Sequence, residues 1–140
     1  MPLDSPWARA LLWVATAACL AQALVTASTL PEATNPEFYD SWRSNGWDLA
    51  VHIGWSVVSA VMLAIAAAIL PRHPAGARAL AYPAAVAVLI RSCCAYPNLT
   101  WGIDDGGPLV RGVWVYVEVG AAFVGPLALV AAIPLLRRSC

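Results

Sequence analysis

Apolar residues fall into four long runs, Trp7–Leu30, Asp48–Leu70, Ala79–Tyr96 and Val110–Leu136, separated by three polar or turn-forming connections. Each run approaches or exceeds the ~20 residues that a helix needs to cross the hydrocarbon core of a bilayer. None alternates strictly between apolar and polar positions as a half-buried strand would. The pattern predicts an all-α integral membrane protein, built as an up-and-down bundle of four transmembrane helices. A single membrane domain covers residues 1–140, with spans at about 7–30, 48–70, 79–96 and 110–136.

The connections sharpen these boundaries. Residues 31–47, PEATNPEFYDSWRSNGW, contain Pro31 and Pro36, which are expected to break a helix. Their aromatic residues Phe38, Tyr39, Trp42 and Trp47 suit the headgroup level, either as plain anchors or on a short interfacial helix over Glu37–Ser44. The second connection, PRHPAGAR, places Pro83 in the first turn of the third span, where a missing N–H matters little. The third, PNLTWGIDDGG at 97–107, is rich in turn formers and reads as a loop. Pro126 is expected to kink the fourth span. The first run also admits a reading as a signal peptide, but it exceeds the usual h-region, which favours a retained span.

Composition agrees with a lipid environment. Of 140 residues, 61% are hydrophobic and 11% charged, and the mean hydropathy is +0.70. A soluble domain carries about 25% charged residues. Eight basic and eight acidic side chains cancel, and no basic cluster exists, which excludes nucleic acid as an expected partner. The expected partners are the lipid bilayer and a lipophilic small molecule, with a homo-oligomer also compatible. Cys19, Cys93, Cys94 and Cys140 form no CxxC, and no His/Cys group has metal-ligand spacing, so neither a metal nor a cofactor is expected. The cysteines read as small packing residues.

The arginines then orient the bundle. Arg9, the pair Arg72 and Arg78, and Arg137–Arg138 flank one set of span ends, whereas the 31–47 and 97–107 connections are acidic on balance. The positive-inside rule gives a cell-membrane protein with both termini cytoplasmic. This orientation puts the ionisable groups inside the spans at one depth. His52 lies about four residues below the outer end of the second span, Arg91 about five below that of the third, and Glu118 about eight into the fourth, all roughly 6–12 Å below one surface. Gln22 joins them from the first span.

An unpaired charge at such a depth is costly, so these groups should face one another inside the bundle. Asp48, His52, Trp55 and Ser56 share a helical face by their i, i+4, i+7, i+8 spacing. Ala84, Ala87, Arg91, Cys94 and Ala95 form a second stripe, and Arg111, Trp114, Glu118, Ala122 and Gly125 a third. Glu118 and His52 are the candidate general acid and base. Arg91, Asp48, Gln22, Trp55, Trp114 and Tyr96 are the candidate substrate-binding residues, Arg91 for a carbonyl or anionic group and the aromatics for a flat lipophilic body. The expected function is acid/base chemistry (isomerisation, hydration or cyclisation) on a lipophilic small molecule. Two other classes stay open: an accessory subunit of a membrane complex, whose charges only tie the helices together, and a small proton-coupled transporter in which Glu118 titrates.

Overall fold

A computed structural model shows an all-helical chain. It describes the backbone of residues 6–33, 43–104 and 113–137, and the side chains of 6–28, 50–93 and 116–137. Four helices result: α1 Pro6–Ala33, α2 Arg43–Ile69, α3 Pro74–Asp104 and α4 Val113–Arg137. α1 packs along α2 and α4, α2 along α3, and α3 more lightly on α4, so the helices form a ring in chain order, with α1 and α3 on one diagonal.

The buried apolar cluster reveals the relative directions. It joins Ala8, Leu12 and Ala15 from the beginning of α1 to Leu63, Ala66 and Leu70 from the end of α2. The same cluster takes Ala77, Ala81 and Ala84 from the beginning of α3 and Leu129 and Leu136 from the end of α4. Neighbouring helices are therefore antiparallel. Among the buried polar residues, Thr16 and Ser59 lie near the middle of α1 and α2, while Gln22, Thr26, Ser56 and Arg91 lie toward the opposite portions, so one end of the bundle is the more polar.

The interior is built mainly of alanine, with Ala60, Ala67, Ala85, Ala128 and Ala132 joining those already named. Large apolar side chains point outward instead, among them Trp7, Leu24, Phe123, Leu127 and Val130. Small buried residues let helix backbones approach closely. Gly125 is one such place: a Cβ there would meet Ala18 Cβ at 3.4 Å and Val88 Cγ1 at 3.6 Å, so α4 lies close to both α1 and α3.

Three helices, α1, α2 and α4, are long and apolar enough to cross a membrane over Pro6–Ser28, Ala50–Ile69 and Tyr116–Arg137. The described part of α3 does not reach that apolarity, unlike the expected third span. Its hydrophobic content is largely alanine, and Arg78, Arg91 and Ser92 interrupt it.

Several boundaries differ from the expected ones, mostly because proline stops helices less firmly than its chemistry alone implies. α1 runs through Pro31 to Ala33; Pro31 removes one helical bond there, and the helix ends two residues later. α3 starts at Pro74 rather than near Ala79. His73 accepts the first bond of the helix from Ala77 N–H at 2.9 Å, and Pro74 takes the first helical position, where it has no N–H to satisfy. Pro83 is consequently inside α3, on an exposed face, and not in its first turn. α3 also continues through the stretch expected as a loop, ending at Asp104. α4 includes both Pro126 and Pro134 as one helix. The aromatic residues Phe38, Tyr39 and Trp42 and the turn at 105–107 lie outside the described residues.

Candidate functional site

The more polar end is assembled from stripes that the amphipathic spacing of each helix turns inward. On α1, Thr16, Cys19, Gln22, Ala23 and Thr26 are buried, placing Gln22 and Thr26 one turn apart on the same face. Each threonine satisfies its own hydroxyl within the helix, Thr16 Oγ1 donating to the Leu12 carbonyl and Thr26 Oγ1 to the Gln22 carbonyl, both at 2.8 Å. That arrangement leaves the lone pairs of Thr26 Oγ1 to a partner from elsewhere.

The partner is Arg91. On α3 the buried stripe runs Ala77, Ala81, Ala84, Val88, Arg91, a spacing of four, three, four and three residues that puts the arginine on the core face. Arg91 is 5% exposed, and its Nη2 donates to Thr26 Oγ1 at 3.3 Å. Because α1 and α3 sit on a diagonal, this bond carries the guanidinium across the middle of the bundle. From there it acts electrostatically on two further groups, the Glu118 carboxyl of α4 and the Cys19 thiol of α1.

Glu118 is half-buried, three residues before Ala121 and seven before Gly125, both buried. The core face of α4 thus follows Ala121, Gly125 and Ala128, one position round from the expected stripe, since Ala122 is only half-buried. On α2, Ser56 and Ser59 are buried and His52 is half-buried one turn earlier.

Several buried polar atoms find no hydrogen-bond partner among the described residues: Gln22 Nε2, Ser56 Oγ and Ser92 Oγ. Gln22 and Ser56 are each 2% exposed, so lipid or water does not reach them from outside the bundle. A buried donor without a partner costs about 1–3 kcal/mol. Such donors on α1 and α2 are a local cost that the fold carries.

Of the expected site residues, the structure brings Arg91 into electrostatic reach of Glu118 and, through Thr26, within one turn of Gln22. His52 lies on the same inward side of α2 as Ser56. Trp55 differs: it is 39% exposed and belongs to the outer surface of α2, because the core stripe of that helix passes through Ser56, Ser59 and Leu63. Asp48, Tyr96 and Trp114 are on α2, α3 and α4 respectively, and their side chains lie outside the described residues.

Sequence reasoning missed Thr26 and Cys19. The signal was present in the four- and three-residue spacing of Cys19, Gln22 and Thr26, which places all three on one face of an otherwise apolar helix. Cys19 and Cys93 are free thiols, the first buried and the second exposed, so Cys93 does not form the vicinal disulfide that its neighbour Cys94 would permit. Among the described residues no group of three or more His, Cys, Asp or Glu side chains is placed to hold a metal ion. No protein-family model, curated protein or solved structure matches the chain.

Proposed function

We propose that the chain is a multi-pass cell-membrane protein with both termini cytoplasmic. On this reading the polar layer of its bundle performs acid/base chemistry (isomerisation, hydration or cyclisation) on a lipophilic small molecule. Membrane residence is supported by the inverted packing, alanine inside and large apolar side chains outside, which lipid favours and water does not. At 31 residues, α3 is about 46 Å long, ample for a bilayer, and the arginine in its middle, Arg91, is turned into the bundle. The orientation is supported by the antiparallel order, which gathers Arg9, Arg72, Arg78 and Arg137 at the apolar end of the bundle.

The observation that carries the site reading is Arg91, a buried cation held across the bundle within electrostatic reach of a carboxyl group, while buried donors on α1 and α2 go unused. In this proposal Glu118 and His52 transfer protons, and Arg91 stabilises charge that develops on the substrate. A ligand reaches the layer from the bilayer, which concentrates lipophilic molecules around the exposed apolar faces.

The test begins with thermal shifts of the purified protein against a panel of lipophilic compounds, since a ligand that binds the folded state raises its melting temperature. With a converted compound in hand, Glu118→Gln should keep the fold and lower turnover by about 10²-fold or more. A Glu118→Gln protein that turns over normally refutes the proton-transfer role. The Arg91–Thr26 bond favours one second reading, a purely structural tie between α1 and α3 in an accessory subunit, which a panel with no bound or converted compound would leave standing.

A further inference from the structure

Charge is divided unequally between the two ends of the bundle. Arg9 near the start of α1, Arg72 in the turn after α2, Arg78 near the start of α3 and Arg137 at the end of α4 stand at one end, beside Ala8, Leu70, Ala77 and Leu136 of the buried apolar cluster. Arg9, Arg72 and Arg137 are exposed, and Arg78 is half-buried. The acidic residues of the described helices, Glu32, Asp48, Asp104 and Glu118, all belong to the other half of the bundle. The sequence adds little negative charge to the arginine end. Residues 49–103 and 119–140 contain no Asp or Glu, and Asp4, just before α1, lies outside the described residues.

The fold sets these cations in two pairs. The α2–α3 turn is tight, with the backbone N–H groups of Arg72 and His73 both donating to the Ile69 carbonyl, at 3.0 and 2.8 Å. Arg78 Nε donates back to the Pro74 carbonyl at 3.3 Å, which holds its guanidinium along the first turn of α3, toward the turn that carries Arg72. On the other side of the ring α1 packs along α4, with Ala8 and Leu136 in one cluster, so Arg9 and Arg137 occupy neighbouring helix ends. Arg9 and Arg78 also stand near the positive ends of helix dipoles, in α1 and α3, whose first turns contain no acidic residue. Both the mutual repulsion and the dipole are relieved by negative charge supplied from outside these helices.

The surroundings of this end say what supplies it. Trp7, 72% exposed, and Val130 and Leu127 give the adjoining outer surface an apolar character. On the reading of the chain as a membrane protein, which is assumed here, that surface meets acyl chains and the arginines reach the headgroups. Negative charge at that level resides in phospholipid phosphates, which a guanidinium binds through two parallel N–H bonds. All eight basic residues of the chain are arginine. A zwitterionic headgroup carries its own cation beside the phosphate, so an anionic one is the better counter-charge.

We propose that this end of the bundle binds anionic phospholipids of the leaflet it faces, one phosphate engaged by Arg72 and Arg78 and another by Arg9 and Arg137. The lipids supply the negative charge that the described helices keep at their other end.

The experiment reconstitutes the whole chain in nanodiscs of mixed phosphatidylcholine and phosphatidylglycerol and counts the lipids it retains by native mass spectrometry. Phosphatidylglycerol should be enriched over its share of the bilayer, and the enrichment should shrink as salt is raised before ejection. The double variants Arg72→Gln/Arg78→Gln and Arg9→Gln/Arg137→Gln should each lower the preference by about 5- to 30-fold, at about 5-fold for each arginine. Arg72→Lys/Arg78→Lys, which keeps the charge, should keep most of it. Arg43→Gln, at the other end of α2, should leave it unchanged. Retention of the two lipids in proportion to the bilayer overturns the proposal. So does a preference that survives both double Gln variants, or one that Arg43→Gln lowers as much as they do. A chain that does not enter nanodiscs would refute membrane residence and this proposal together, whereas an inserted chain without lipid preference refutes this proposal alone.

Discussion

Replacing Arg91 by methionine keeps much of the side-chain length, removes the charge and breaks the bond to Thr26 Oγ1. A hydrogen bond from a charged donor is worth about 1.5–3 kcal/mol. The change also leaves Glu118 without its nearby cation. At an effective dielectric constant of 20, unit charges in contact interact by at most about 4 kcal/mol, and Glu118 is only half-buried, so greater separation and screening by solvent and headgroups lower this. The electrostatic share is therefore about 1–3 kcal/mol. Arg91→Met alone should destabilise the bundle by about 2–5 kcal/mol, and Glu118→Met alone by about 1–3 kcal/mol. The double variant should lose less than the sum, by a coupling of about 1–3 kcal/mol, because neither charge is then stranded. Unfolding of all four proteins by sodium dodecyl sulfate in mixed micelles, followed by helical circular dichroism, measures the cycle. A coupling below about 0.5 kcal/mol would mean that the two groups act independently, and the electrostatic account of the polar layer would be wrong.

Three further outcomes are expected. Leu63→Ala, which opens a cavity at a fully buried position, should cost about 2–5 kcal/mol, whereas Leu127→Ala, at a position 65% exposed, should cost less than about 0.5 kcal/mol in the same titration; equal losses would refute the packing described. Gly125→Ala should be tolerated, because its Cβ would make ordinary contacts, while Gly125→Leu should destabilise by about 1–3 kcal/mol or more by forcing α4 away from Ala18 and Val88. A leucine without effect there would contradict the close approach. In a background freed of its native cysteines, Ala75→Cys, on the exposed side of the α2–α3 turn, should react with an impermeant maleimide only from the cytoplasmic face; reaction from the outside would invert the topology.

The four helices and the inward orientation of Arg91 were legible in the pattern alone. Hydrophobic runs of this length carry their own backbone hydrogen bonds, and a lone charge in such a run has few places to go but the bundle interior. Boundaries were less legible. Pro31 and Pro83 each remove one helical bond, and whether that loss ends a helix depends on the support around it, whereas Pro74 at a first helical position removes none. The alanine interior could be suspected from composition, but its complement, large residues turned outward, is a property of how four helices meet. In the sequence the polar residues Asp48 and His52 stand out at the start of the second span. Tertiary packing instead makes α1 the most enclosed of the three candidate spans, because it lies between α2 and α4 and faces α3 across the diagonal. That diagonal is why Thr26, an unremarkable residue in an apolar run, receives Arg91 from 65 positions away. Spacing along one helix can say that two residues share a face. Only the crossing of different helices decides which face meets which, and here it leaves Gln22 and Ser56 enclosed without partners among the described residues while Trp55, their neighbour in the expected site, is turned outward.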